Sequence, residues 1–404
     1  MKKLVLLSSD FPFTKNGNPF LEIELDFLAK KFDVIQIYAL TKNTEFIHEL
    51  PENVEVYNYS EFQQFQLSFI KKIYFFMRSV FILKLDLIVD FKKNKISHIR
   101  KSLAYTRNCL ARGEFLFQNK NYQDNESSLH YSYWMDDWVN IFWMHPRLRK
   151  SVMVSRCHGF DLYEERNALG YILFRKKQLK FLKHIFPISM NGEMYLRKKY
   201  PKFASKVKVN RLGVLIPRNI EQVTRGEDLK VLSVSRLVSL KRIHLIIEAL
   251  QAVKRNVHWV HIGDGEELKF LVEKIKKLPA NIQVDFKGDL TNVEVLNYYN
   301  KNHPDVFVQV SSTEGIPVSI MEAMSYAIPV IATNVGGVSE LFDSTEVVGV
   351  LLDKNFKINE LSRLLEKHNL NVPKANANKT FIDQRFNSIK NYQEFTDILL
   401  GIMN

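Results

Sequence analysis

Cysteine is nearly missing from this chain. Cys109 and Cys157 are the only two in 404 residues, too few for a disulfide scaffold or a zinc site, and they fit a reducing cytoplasm. No run of about 18 apolar residues occurs, so no membrane-spanning helix is expected. The opening MKKLVLLSSDF has too short an apolar core for a signal peptide and lacks a cleavage pattern; a first β-strand is expected there. Glycine is sparse where a dinucleotide loop would need it: the first βα loop, SSDFPFTKNGNPF, holds only Gly17. No Asp-x-Asp metal motif stands at a strand end, and no short repeat or low-complexity tract is visible. Positive charge, by contrast, is in excess. Lys and Arg number 57 against 44 Asp and Glu, giving a net charge of +13 and a pI of about 9.4. That balance favours anionic partners, whether nucleotide diphosphates, nucleic acid or an acidic membrane surface, and does not choose among them. The length calls for two domains, and 46% apolar with 25% charged residues is ordinary for a globular protein.

The most informative stretch runs from Asp305 to Glu340, DVFVQVSSTEGIPVSIMEAMSYAIPVIATNVGGVSE. DVFVQV reads as a strand and SSTEG as a loop. Pro317 takes the first helical position of a helix continuing through SIMEAMSYA. PVIAT is a second buried strand, and Asn334–Gly337 is a turn before another helix. This is the grammar of a parallel α/β sheet, whose ligands sit at the carboxyl ends of the strands beside helix N-termini. Glu314 in the loop and Glu322 in the helix, seven residues between them, can both face that edge, and Gly315 lets backbone approach a ligand closely. A solvated loop acid and an early-helix acid favoured by the dipole would look the same, so the two carboxylates alone do not decide.

The flanks do. Glu-(seven residues)-Glu within EGIPVSIMEAMSYAIPVIATNVGGVSELF resembles the signature of the family 4 retaining nucleotide-sugar glycosyltransferases. The resemblance implies that Glu314 contacts the transferred sugar and Glu322 the ribose of the leaving nucleotide. Backbone of Gly315, Ile316, Pro317 and Val318 would complete the donor site. Upstream, LKVLSVSRLVSLKRIHLIIEAL places Arg236 and Lys241 at a strand–loop–helix junction. Two cations there make an anion site, Arg offering a planar fork and Lys a point charge. A surface cation pair is the default alternative, but the spacing resembles the family's Arg-(four residues)-Lys motif, which binds the diphosphate. Ser235 and Leu240-Lys241-Arg242 depart from the usual neighbours of that motif. The turn IGDGEE, with Gly263 and Gly265, resembles the family's Gly-x-Gly turn beside the nucleotide, and Gly288 to Leu290 would border the base.

In the first half, Leu4–Ser8, LEIELDFLAKKF and DVIQIYAL form a βαβ unit. FPFTKNGNPFLEIEL resembles polysaccharide-extending members of the family, which makes Gly17 a donor-site candidate as well as a turn glycine. Residues 62–118 show no clear strand. Their mixture of aromatic, branched and basic residues reads either as helices packed on the sheet with a solvated basic face or as a surface that lies on anionic lipid. Ser132-Tyr133-Trp134 ends one strand, and SVMVSRC ends another at His158-Gly159-Phe160-Asp161. A lone His is usually structural, but HGFD resembles the family's His-Gly-x-Asp segment, which implies that His158 reaches the transferred sugar, with Asp161 capping or orienting it. No second His or Cys stands at zinc-ligand spacing.

The implied architecture is α/β of the GT-B type, two Rossmann-like doubly wound domains facing a central cleft. The expected divisions are 1–216 for the acceptor domain, 217–229 for a linker, 230–384 for the nucleotide-sugar domain, and 385–404 for a helix crossing back. The implied activity is retaining, metal-independent transfer from a nucleotide-diphosphate sugar, UDP-sugar favoured, with no cofactor, to a saccharide or lipid-linked acceptor in bacterial surface polysaccharide synthesis. Partners are that donor and acceptor and an anionic membrane surface, not nucleic acid; the location is cytoplasmic, at the inner face of the plasma membrane. A glycosidase also needs paired carboxylates but has no use for a diphosphate site. A sugar-nucleotide epimerase of the same fold is opposed by the Glu pair. A non-catalytic basic nucleic-acid-binding module fits the charge but leaves the strand-end acids unexplained.

Overall fold

A computed structural model describes residues 1–13, 19–41, 49–58, 68–90, 96–118, 122, 128–167, 170–221, 226–367 and 375–403. Gly17 lies outside them. The chain divides into two compact units, one of residues 1–188, 192–210 and 394–404, the other of 189–191 and 211–393.

The first unit is built on β1 (Lys3–Ser8), α1 (Pro19–Ala29), β2 (Val34–Ala39), β3 (Val54–Asn58), α2 (Phe69–Asp90), α3 (Ile96–Gln118), β4 (Ser128–Ser132), α4 (Asp137–Met144), β5 (Met153–Cys157), α5 (Arg175–Phe181), β6 (His184–Pro187) and α6 (Met190–Lys199). Its six strands pair in parallel in the order β3-β2-β1-β4-β5-β6. Strand alternation sends successive β1 side chains to opposite faces. Leu4 and Leu6 join a core with Leu21 and Leu25 of α1, while Val5 and Leu7 join one with Phe75, Leu110 and Trp138 of the later helices. Both faces are therefore covered, as an all-parallel sheet requires. Edge strand β3, whose Val54, Val56 and Tyr57 are half-buried and Glu55 exposed, has no counterpart in the sequence reading. The part of 62–118 that is described is the helix pair α2–α3, packed on each other and on α4.

The second unit comprises β7 (Leu229–Val234), α7 (Ile243–Leu250), β8 (Val257–Ile262), α8 (Leu268–Ile275), β9 (Ile282–Phe286), α9 (Asn292–Asn302), β10 (Val306–Gln309), α10 (Val318–Ser325), β11 (Val330–Thr333), β12 (Gly349–Leu352), α11 (Ile358–Lys367) and α12 (Asn376–Arg385). Its order is β12-β11-β10-β7-β8-β9, the same winding as the first sheet. Each sheet reverses its strand order beside its first strand, at β1/β4 and at β7/β10, the doubly wound pattern whose switch point is a ligand crevice.

Three local expectations shift. Pro317 is the extended N-cap of α10 (φ −79°, ψ 116°), so the helix starts one residue later. The helix expected after Gly337 is a short 3₁₀ segment, Val338–Phe342, too brief for α geometry. The division between units falls after Asn210 rather than 216. Leu212–Val214 already pairs with the second unit: Val214 N–H donates to Phe386 O at 2.8 Å, and Ser388 N–H to Val214 O at 3.0 Å. The last helix, α13 (Ser388–Met403), starts in the second unit and returns to the first from Glu394.

Candidate functional site

Strand pairing brings the second unit's charged residues together. Arg236 and Lys241 follow β7, and Glu314 follows β10; they lie far apart in sequence, but β7 and β10 are neighbours in the sheet. Lys241 Nζ donates to Glu314 Oε1 at 2.6 Å. That uses one of three ammonium donors. The same oxygen accepts from Gln309 Nε2 at 2.5 Å. Gln309 is a buried amide at the end of an apolar strand, and its Oε1 accepts from Ser319 of α10 at 3.0 Å. One side chain thus fixes both the loop acid and the first turn of the helix. That helix has no side-chain N-cap, since Pro317 offers none, and its first N–H groups lie at the sheet edge, where the helix dipole favours an anion. Arg236 is exposed, and its guanidinium has no hydrogen-bond or ion-pair partner among the described residues, although its carbonyl accepts from Val238 N–H at 3.0 Å.

Arg242, in sequence only a departure from the motif's usual neighbours, ties the two loops. From a left-handed backbone (φ 53°) it donates to Val310 O at 2.6 Å, Lys354 O at 2.9 Å and Ser311 O at 3.2 Å. Ser312 N–H donates to Leu240 O at 2.8 Å. The loops carrying Lys241 and Glu314 are thereby one rigid assembly.

Glu322, on α10, is buried and accepts from Asn292 Nδ2 at 2.8 Å. Burial outweighs that bond and pushes its carboxyl up to about 7. Asn292 opens α9 behind a Thr291–Glu294 capping box.

Gly263 and Gly265 have a structural duty. Gly263 sits at φ 128°, and a Cβ there would strike Ser235 O; at Gly265 it would strike Leu237 O. Both let the turn after β8 press against the Arg236 loop. Gly263 N–H also donates to Gly288 O at 2.8 Å, and Asp264 N–H to Asp289 at 2.9 Å. Leu290 is half-buried just beyond. His261 grips the same loop: Nε2 donates to Ser235 O at 3.0 Å, and Nδ1 accepts from the Ser233 hydroxyl at 2.8 Å. Burial lowers its pKa to about 4, so it stays neutral. In the Glu314–Glu322 segment, Ile316 and Pro317 are buried while Gly315 and Val318 are half-buried. Gly315 O accepts from Gly337 N–H at 2.7 Å, an approach a Cβ on Gly337 would block.

In the first unit His158 follows β5. Asp161 Oδ1 accepts from the His158 and Gly159 N–H groups at 2.8 and 3.0 Å, and Oδ2 from Met135 N–H at 3.0 Å. Asp161 therefore shapes the loop as expected. The imidazole packs against Trp134 (centroids 4.0 Å) and Tyr133 (4.8 Å), and its Nδ1 is 3.7 Å from Asp161 Oδ2. Desolvation lowers its pKa despite Asp161. Neither ring nitrogen has a hydrogen-bond partner among the described residues, and buried polar atoms normally find one. A neutral imidazole of this kind can serve a hydroxyl.

The class this defines is GT-B. Solved structures covering nearly all of this chain share the fold. Sucrose-phosphate synthase from Thermosynechococcus elongatus aligns at a TM-score of 0.70 with 14% identity, over 100% of this chain and 99% of that one. Anabaena HepE in complex with UDP aligns at 0.64 with 18% identity, over 99% and 100%. Residues 217–379 match the family model for glycosyl transferases group 1. Among curated relatives, the O-antigen biosynthesis glycosyltransferase WbnH of Escherichia coli is 34% identical over 31% of this chain and 37% of its own length. The colanic acid biosynthesis glycosyltransferase WcaL of Escherichia coli K12, a putative assignment, is 31% identical over 46% and 48%. The matched stretches span between 25% and 51% of such relatives.

Proposed function

We propose that this chain transfers a sugar from a nucleotide-diphosphate donor, UDP-sugar favoured, to a saccharide or lipid-linked acceptor, retaining the anomeric configuration, in bacterial surface polysaccharide synthesis. The observation that carries the reading is the meeting of cations and carboxylates at one sheet edge: an Arg236 guanidinium without a partner among the described residues and a Lys241–Glu314 pair on neighbouring loops, with buried Glu322 on the adjoining helix. A glycosidic cleavage of this kind leaves charge on a departing diphosphate and positive character on the sugar. Arg236, the spare donors of Lys241 and the first turn of α10 suit the first. Glu314 and, in its own unit, His158 suit sugar hydroxyls. Glu322 in its ionised form suits a ribose diol.

In this reading the anomeric carbon–oxygen bond breaks with its electron pair leaving on the phosphate. The acceptor oxygen adds on the same face and its proton passes to that phosphate. The neutralising charge is assigned to side chains, so turnover should persist in EDTA. Buried, unoxidised Cys109 and Cys157 suit the cytoplasm, and no described helix is long and apolar enough to cross a membrane. The test is acceptor-dependent release of UDP or GDP from a panel of nucleotide sugars. Arg236→Ala should reduce turnover by about a hundredfold or more. Wild-type turnover in that variant, or donor-independent binding of DNA, would remove the reading.

A further inference from the structure

Helix α2 has one face too many. At about 100° per residue, Phe75, Ser79, Ile82 and Leu83 fall on a single seam, and all four are buried, the three apolar ones in the first unit's core. The opposite side should be polar on a helix that merely covers a sheet. It is apolar instead. Phe69, Ile70, Ile73, Met77, Val80 and Phe81 are all exposed, Ile70 by 79%, Phe81 by 64% and Met77 by 62%. With Phe76 and Tyr74 at its edges, this arc spans about 160° and holds no charged residue from Phe69 to Phe81; Lys84, one turn further along α2, falls on the same side. Lys72 borders it on one side, and Arg78 and Lys71, the latter paired with Glu114 of α3 at 2.7 Å, on the other; no acid occurs from Phe69 to Phe81. On the packed neighbour α3, Arg100, Lys101 and Arg107 are exposed.

We propose that this face of α2 is a docking surface for an anionic phospholipid bilayer, the helix lying in the plane of the interface with its apolar arc among the acyl chains. Charge chooses the occupant. A cation-flanked apolar ridge matches a surface whose headgroups are negative and whose interior is hydrocarbon, and the chain's charge of +13 adds to the attraction. A second copy meeting the ridge about a two-fold axis would set Lys72 and Arg78 against like charges, with no carboxylate from Phe69 to Phe81 to pair them. Contiguous apolar exposure of this kind is uncommon on a solitary soluble surface. The inference does not rest on glycosyl transfer, and its test uses no sugar.

The test is co-sedimentation of the full chain with phosphatidylcholine vesicles, with and without phosphatidylglycerol. Binding is expected to the anionic vesicles, to fall with salt, and to drop by about fivefold in Lys72→Gln. The triple variant Ile70→Ser, Met77→Ser, Phe81→Ser should lose binding while keeping its melting temperature, since these side chains are exposed. Equal binding by the triple variant, or none by the wild type, overturns the proposal. So does a wild-type dimer in sedimentation equilibrium that the triple variant converts to monomer without any lipid binding.

Discussion

At the scale of single residues, Glu322 is the most informative side chain. Its carboxyl is raised from 4.5 to about 7 by burial, so the folded state prefers the protonated form. As pH rises through the interval from 4.5 to 7, the unfolded chain ionises first and stability falls, by about 3 kcal/mol at most. Glu322→Gln should remove that decline, matching wild type below pH 4.5 and melting higher at about pH 8; chemical denaturation against pH checks it. If the ionised group holds ribose hydroxyls, nucleotide affinity runs the other way and strengthens as pH rises through about 7. Glu314 and Glu322 were legible because their spacing lies within one continuous segment. The Lys241–Glu314 pair was not, since it depends on β7 lying beside β10. Gln309 left a fainter signal, a single amide at the end of an apolar strand. Asn292 left none, because its role depends on where α9 packs against α10.

At the scale of elements, the Arg236 loop is held by what surrounds it. Gly263 at φ 128°, facing Ser235 O, has no room for a side chain. Gly263→Ala should destabilise by more than about 1 kcal/mol and depress turnover further than stability alone explains, whereas Gly226→Ala, with open space around it, should change neither. Thermal melting and nucleotide release on the two variants check this. The periodicity of the strands and the turn chemistry of Gly-Asp-Gly were legible, though the reason for the glycines was not: they accommodate a neighbouring backbone. Edge strand β3 escaped the reading because five residues, of which Val54, Val56 and Tyr57 are half-buried and Glu55 is exposed, with no flanking helical pattern, carry little signal. The α2–α3 segment stayed open between two interpretations for a different reason. Its apolar residues fill both the seam and the opposite arc, so helical periodicity is blurred.

At the scale of the whole molecule, each unit follows the same winding; length and the alternating strand and helix grammar pointed to two domains and a parallel α/β sheet, and the family resemblance implied the doubly wound pairing. The return of the last helix to the first unit has a physical anchor. Fully buried Arg156 donates to Glu24 at 2.7 Å, Tyr131 at 3.0 Å and Asn210 O at 3.0 Å, and its guanidinium lies 4.1 Å from the ring centre of Phe395 on α13. Arg156→Met strands a buried carboxylate and should cost about 3–5 kcal/mol, while the double variant with Glu24→Gln should recover part of the loss. A double-mutant cycle by urea denaturation measures the coupling.

The central claim is that the second unit's sheet edge takes up a nucleoside diphosphate. Thermal shift with UDP, GDP and ADP on the purified chain tests it directly. The account predicts stabilisation by a uridine ligand, about 2.7 kcal/mol at a hundred times its dissociation constant, and its loss in Arg236→Ala. No shift with any nucleoside diphosphate, or an equal shift in Arg236→Ala, would contradict it.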